Sequence, residues 1–141
     1  IHHRGTFEKP GLVLALSTDR QSFCEGLAFE VEQGKEVETL EYLRGRELVS
    51  SAYLERQVSL NLKNGQSIQS LVYVIDEGHA QYCKLTLAEQ AKIIAVAKGG
   101  RGPNDEYLYR TRKKIVELGI NDAEIECLYT KVMLIKNQKD D

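Results

Sequence analysis

From Tyr53 to Ile75 the chain carries a pattern that few folds accommodate. In YLERQVSLNL (Tyr53–Leu62), Val58, Leu60 and Leu62 fall on one face and Gln57, Ser59 and Asn61 on the other. This is the period-two alternation of a half-buried strand. Asn64-Gly65 follows almost at once, and both residues tolerate the positive φ of a tight I′ turn. The return run SIQSLVYVI (Ser67–Ile75) ends in continuous apolar residues, so its second half is expected to be buried on both faces. An antiparallel hairpin is predicted, and it needs something to cover its apolar face.

What surrounds the hairpin suggests the cover. GLVLALS (Gly11–Ser17) and FCEGLAFEV (Phe23–Val31) are β-prone runs joined by a polar Thr18-Asp19-Arg20-Gln21 turn, which predicts a second antiparallel pair. A helix from about Glu36, with Val37, Leu40 and Leu43/Arg44 on one stripe, breaks near Arg46-Glu47, just before the strand at Tyr53. From Thr86 the period changes. Thr86 and Glu89 form a capping box, and Leu87, Ala91 and Ile94 share a helical stripe that is predicted to stop at Gly99-Gly100. A second helix is predicted from Asn104, with Leu108, Thr111, Ile115 and Leu118 at helical spacing and Gly119 at its end. Asp122 caps a third, with Ile125, Leu128, Val132 and Ile135 inward, before the tail KNQKDD. Strands first and helices after imply an α+β fold, a small sheet packed against helices in one domain over residues 1–141.

Composition narrows the function. A chain of 141 residues can build one core without metals or disulfides. Its 19 basic and 21 acidic residues are well mixed, with net charge −2, and give no electrostatic footprint for nucleic acid or an anionic membrane. The longest apolar runs, such as LVYVI, are too short to span a bilayer. Cys24, Cys83 and Cys127 are an odd count without CxxC spacing, read as reduced thiols acting as small apolar fillers in a cytoplasmic protein. The start IHHRGTFEKPG has neither Met nor a signal-peptide pattern and reads as mid-domain, so an N-terminal part is expected to be missing.

Few residues stand out for chemistry. His2-His3 point in different directions with no third ligand near in sequence, and a mobile terminus is the simpler reading. His79 lies in the polar loop DEGHAQY, with no recognisable nucleophile motif around it. GGRGPN leads into a helix but lacks the Gly-Lys-Ser/Thr ending of a P-loop, so a flexible connection between helices is expected. Glu47 is one acidic residue among many, and most are solvated. Its place where helix yields to strand, its neighbour Arg46, and Tyr53 six residues on make it a candidate proton carrier.

Five segments, in order, match a family. HRGTFEKPGLVLAL (His3–Leu16) resembles the H-R-G-T-x-x-x-P-G-R-x-x-x-L stretch of the ChaC-like γ-glutamylcyclotransferases, with Leu12 where Arg is usual. CEGLAFEV is similar to their C-x-G-x-A-Y/F-x-V strand, and YLRGRELVSSAY to the helix end that carries an R-E pair and a following Tyr. GGRGPNDEYLYRT resembles S-G-P-x-G-x-N-x-E-Y-L-F, and LGIND their L-G-I/M-x-D. The resemblance implies a γ-glutamylcyclotransferase-like, barrel-like antiparallel or mixed sheet with helices. It implies cleavage of glutathione to 5-oxoproline and cysteinylglycine, without metal or other cofactor.

By the same resemblance Glu47 is the catalytic glutamate, and Tyr53 and Tyr107 line the substrate pocket. Asn104 matches the Asn of the glycine-rich segment and is taken as substrate-binding. Arg46 and Arg4 match too, with a substrate contact and a structural ion pair both open. The family's upstream Y-G-S-L motif, whose backbone N–H groups bind the γ-glutamyl head, is absent from this sequence. The chain is therefore expected to lack part of the pocket and a strand or two, and its activity alone is open. The expected partner is a small γ-glutamyl substrate, with no nucleic acid or membrane and with oligomeric state open. Two rival readings stand beside glutathione cleavage: a cyclotransferase for other γ-glutamyl amino acids or amines, and a non-catalytic binding or regulatory module on the same fold.

Overall fold

The computed structural model describes residues 3–138; His2 lies outside them. The elements run α1 (Glu36–Glu47), β1 (Tyr53–Asn61), β2 (Ser67–Ile75), α2 (Leu87–Ile94), β3 (Lys98–Gly99), β4 (Gly102–Pro103), α3 (Asn104–Glu117) and α4 (Ala123–Asn137). The α+β content is as the sequence implies, and its β-structure is two separate antiparallel ladders, β1–β2 and β3–β4. The described residues fall into two compact units, 15–83 and 3–14 with 84–138. No described helix is long and apolar enough to cross a membrane.

In the first unit α1 starts without a side-chain cap. Glu36 and Glu38 in its first turn and Arg44 and Arg46 in its last complement the helix dipole instead. Its apolar stripe is only partly covered: Leu40 and Leu43 are half-buried, whereas Val37 is exposed. The hairpin forms with Val58, Leu60 and Leu62 on the covered side. Its turn differs from the expected I′ type. Only Gly65 takes a positive φ, +85°, while Leu62 bonds both Gly65 N–H and Gln66 C=O. That is a type I turn closed by a left-handed glycine, one residue longer than a two-residue loop. The second half of β2 is not buried on both faces; Val74 alone is buried.

The predicted pair at 11–17 and 23–31 is absent. A strand exists only where a partner answers its backbone groups, and these runs find isolated partners in place of a ladder. The Leu16 carbonyl accepts from Ile75 N–H at 2.7 Å, and the side chain of Asn104 holds the Leu12 peptide. Phe23 and Phe29 stay 90% and 85% exposed, so the second run has no core to enter. The Asp19 side chain does close the connecting turn, accepting from Gln21 N–H and from the Ser22 hydroxyl.

The second unit holds the main core. Ala91 and Ile94 of α2, Leu108 of α3, and Ile125, Leu128 and Val132 of α4 form one buried cluster, with Leu12, Leu87, Ile115 and Ile135 packed against it. Each large aliphatic side chain fully buried there contributes about 1.5–3 kcal/mol. The local signals hold. Thr86 and Glu89 form the capping box, Asp122 accepts from Ile125 N–H, and Gly119 leaves α3 at φ +71°. Two expectations fail. Helix α2 ends at Ile94, well before Gly99: Val96 N–H and Ala97 N–H both turn back to the Ile93 carbonyl, and Asn104 N–H takes the Ala97 carbonyl. GGRGPN is not a loose connection but the two-residue β3–β4 ladder, Lys98 opposite Pro103. The cysteines also differ: all three are free thiols, and all are exposed instead of filling core space.

Candidate functional site

Glu47 is the last residue of α1. Its carboxylate meets Arg46 Nη2 at 3.9 Å and is about a third exposed, at 31%. Arg46 also donates to the Tyr42 hydroxyl at 3.4 Å and lies over that ring, so it makes only a loose pair with Glu47. Beyond Glu47 the chain turns through Ser51, held at φ +57°, and enters β1 at Tyr53. Left-handed backbone is costly for a residue with a Cβ, and such strain gathers where a turn must be sharp.

The hairpin register determines what stands on the adjoining face. Tyr53 pairs with Ile75 and Glu55 with Tyr73, so Tyr53, Glu55 and Tyr73 share one side of the ladder. Arg44 grips Glu55 with two hydrogen bonds of 2.9 and 2.8 Å, and the Tyr73 hydroxyl donates a third at 2.8 Å. The Arg44 guanidinium, with Tyr73 second, holds the Glu55 carboxyl down at about 2, against an ordinary 4.5. Burial and then the bond to Glu55 push the Tyr73 phenol up, and the nearby charge of Glu47 adds to that. Within this unit the Tyr73 phenol, on the face that Tyr53 shares, feels the charge of Glu47.

The two carboxylates are not equivalent. A group held near pH 2 with its oxygens occupied by three donors is a poor base at neutral pH. Glu47 is held by less: among the described residues its one ionic partner is Arg46, at 3.9 Å. The Arg44–Glu55–Tyr73 cluster was not foreseen from the sequence. Its signal was the cross-strand pairing of Glu55 with Tyr73, and an assumed two-residue Asn64-Gly65 turn shifts that register by one and sets Glu55 opposite Val74.

Asn104 and Tyr107 lie in the other unit, on the first turn of α3. Asn104 is completely buried, its carboxamide bonded to both polar groups of the Leu12 peptide at 2.7 Å. Tyr107 accepts a hydrogen bond from Leu14 N–H at 3.1 Å. Arg4 stacks over the Tyr107 ring, 5.6 Å from its centroid, donates to the Pro103 carbonyl at 3.2 Å, and meets Glu106 at 3.7 Å. Arg101 N–H bonds the His3 carbonyl at 2.9 Å. The segments HRGTFEKPGLVLAL and GGRGPNDEYLYRT, separate in sequence, thus interlock. Glycine permits the fit: a Cβ on Gly11 would lie 2.3 Å from the Arg4 carbonyl oxygen. Among the described residues, no group of three or more His, Cys, Asp or Glu is arranged to hold a metal ion.

Comparison with known proteins completes the description. The model of the ChaC-like protein family matches residues 1–135. The glutathione-specific γ-glutamylcyclotransferase of Escherichia coli K12 is 30% identical over 140 residues, 97% of this chain and 60% of that protein. Glutathione-specific γ-glutamylcyclotransferase 1 of Danio rerio is 39% identical over 111 residues, 77% of this chain and 57% of that protein. The chain therefore spans about three fifths of the length of these two relatives. The crystal structure of a γ-glutamyl cyclotransferase specific to glutathione from yeast superposes with TM-score 0.75 at 20% identity, covering 96% of this chain and 83% of that one. That likeness is one of fold.

Proposed function

Since the chain belongs to the ChaC-like protein family, we propose that the protein carrying it cleaves glutathione to 5-oxoproline and cysteinylglycine, with Glu47 moving the proton. The observation that carries the assignment of Glu47 is its contrast with Glu55: Glu47 meets only Arg46, in a loose ion pair, whereas Glu55 of the same unit is held by three hydrogen-bond donors and kept low in pKa.

The chemistry needs one such group. Glu47 takes a proton from the α-amine of the γ-glutamyl head, and that nitrogen attacks the γ-carbonyl carbon to close a five-membered ring. The amide C–N bond then breaks, and Glu47 returns the proton to the departing cysteine nitrogen. Atoms balance without water, and the nucleophile belongs to the substrate. Ring closure is intramolecular, so holding the substrate folded supplies much of the rate. Arg46 steadies the Glu47 carboxylate, while Tyr53 and Tyr107 contact the substrate. The three free thiols suit a reducing compartment, and we place the protein in the cytoplasm.

The test is a product assay on the full-length protein with glutathione and with γ-glutamyl-alanine. The reading expects 5-oxoproline and cysteinylglycine in equal amounts from glutathione, and slower turnover of γ-glutamyl-alanine. Equal turnover of both would replace glutathione with a broader γ-glutamyl class, and no product from either would leave a binding module.

A further inference from the structure

The interlock on α3 suggests how one proposed substrate contact is prepared. The Asn104 carboxamide meets the Leu12 peptide as a neighbouring strand would, accepting from its N–H and donating to its carbonyl, both at 2.7 Å. With its side chain fully buried and each end of the carboxamide bonded to Leu12, Asn104 is closed off from a ligand in solvent. Two residues along, Leu14 N–H turns to the same helix and donates to the Tyr107 hydroxyl. That spacing of two is what an extended segment gives, so fixing Leu12 aims Leu14. A phenol oxygen that accepts one hydrogen bond still has its own proton to donate. Tyr107 borders an open groove of about 400 Å³ whose walls include Lys114 together with Arg4 and Arg110, both of which pair with Glu106.

We propose that Asn104 is a positioning residue that acts through Tyr107: by clamping the Leu12 peptide it seats Leu14 N–H on the Tyr107 hydroxyl and commits that phenol to donating a hydrogen bond to a substrate oxygen. This replaces the direct substrate contact expected for Asn104 and rests on the cyclotransferase reading.

A double-mutant cycle on the full-length protein tests it, with Asn104→Ala, Tyr107→Phe and the pair assayed on glutathione. Tyr107→Phe is expected to raise KM about tenfold, the worth of one hydrogen bond to a charged acceptor. Asn104→Ala should give a similar rise, and the pair no more than Tyr107→Phe alone. Multiplying penalties would overturn the coupling. A second readout needs no turnover: amide exchange at Leu14 should accelerate in either single variant by at least tenfold more than exchange at the core Leu128 amide, which reports any loss of global stability. Unchanged Leu14 exchange in Asn104→Ala refutes the proposal. Absence of product from the wild type would instead strike the cyclotransferase reading, and the Leu14 result would still decide the clamp.

Discussion

Replacing Gly11 by alanine is a one-methyl change whose cost follows from distances. An added Cβ would lie 2.3 Å from the Arg4 carbonyl oxygen and 2.9 Å from Asn104 Oδ1, where ordinary contact begins at 3.4 Å. The nearer neighbour is backbone and has no rotamer to yield, so the segment must move by about 1 Å. The two Asn104 bonds start at 2.7 Å, and such a shift takes them beyond hydrogen-bonding range. Two lost bonds cost about 1 kcal/mol each, and a buried carboxamide left unanswered adds roughly 1–3 kcal/mol. Gly11→Ala should therefore lower stability by about 3–5 kcal/mol in urea denaturation. Gly100 is the internal control: it lies in the same unit and an added Cβ there meets nothing within 4 Å, so Gly100→Ala should stay within about 0.5 kcal/mol of wild type. Equal effects from the two substitutions would refute the reasoning.

Other expectations concern single side chains. The Glu55 carboxyl lies at about 2 when folded and ordinarily at 4.5, so its stabilisation is present above 4.5 and is lost as pH falls through about 2. Glu55→Gln should flatten that acid limb in a pH series of thermal melts, and Tyr73→Phe, which removes one of the three donors, should move the limb to higher pH. Leu128→Ala, in the six-residue core cluster, should cost about 2–5 kcal/mol by urea denaturation. Asp122→Ala removes the bond to Ile125 N–H and should cost about 1 kcal/mol in the same assay.

What was legible in the sequence was local. The capping box at Thr86, the cap at Asp122, the stop at Gly119 and the alternation of β1 each depend on residues a few positions apart, and each is found. The failures are non-local. GLVLALS and FCEGLAFEV have strand composition, but composition supplies no partner. Ala95-Val96-Ala97 continues a helical apolar pattern, yet the helix ends at Ile94 and the Ala97 carbonyl is taken by the distant Asn104 N–H. One residue in the turn was enough to hide the Glu55–Tyr73 pairing. The Asn104–Leu12 clamp joins residues 92 apart, a distance over which periodicity carries no information.

Glu47 was marked first by position and by resemblance, and the structure adds a physical distinction. It ends α1 with one loose ion pair to Arg46, whereas Glu55 of the same unit is engaged by three donors. General acid–base catalysis contributes roughly 10²–10⁴-fold to such a reaction. The direct test is Glu47→Gln in the full-length protein, with 5-oxoproline release from glutathione measured alongside a thermal melt. The account predicts a loss of roughly 10²–10⁴-fold with the melt unchanged; near-normal release from a folded variant would contradict it.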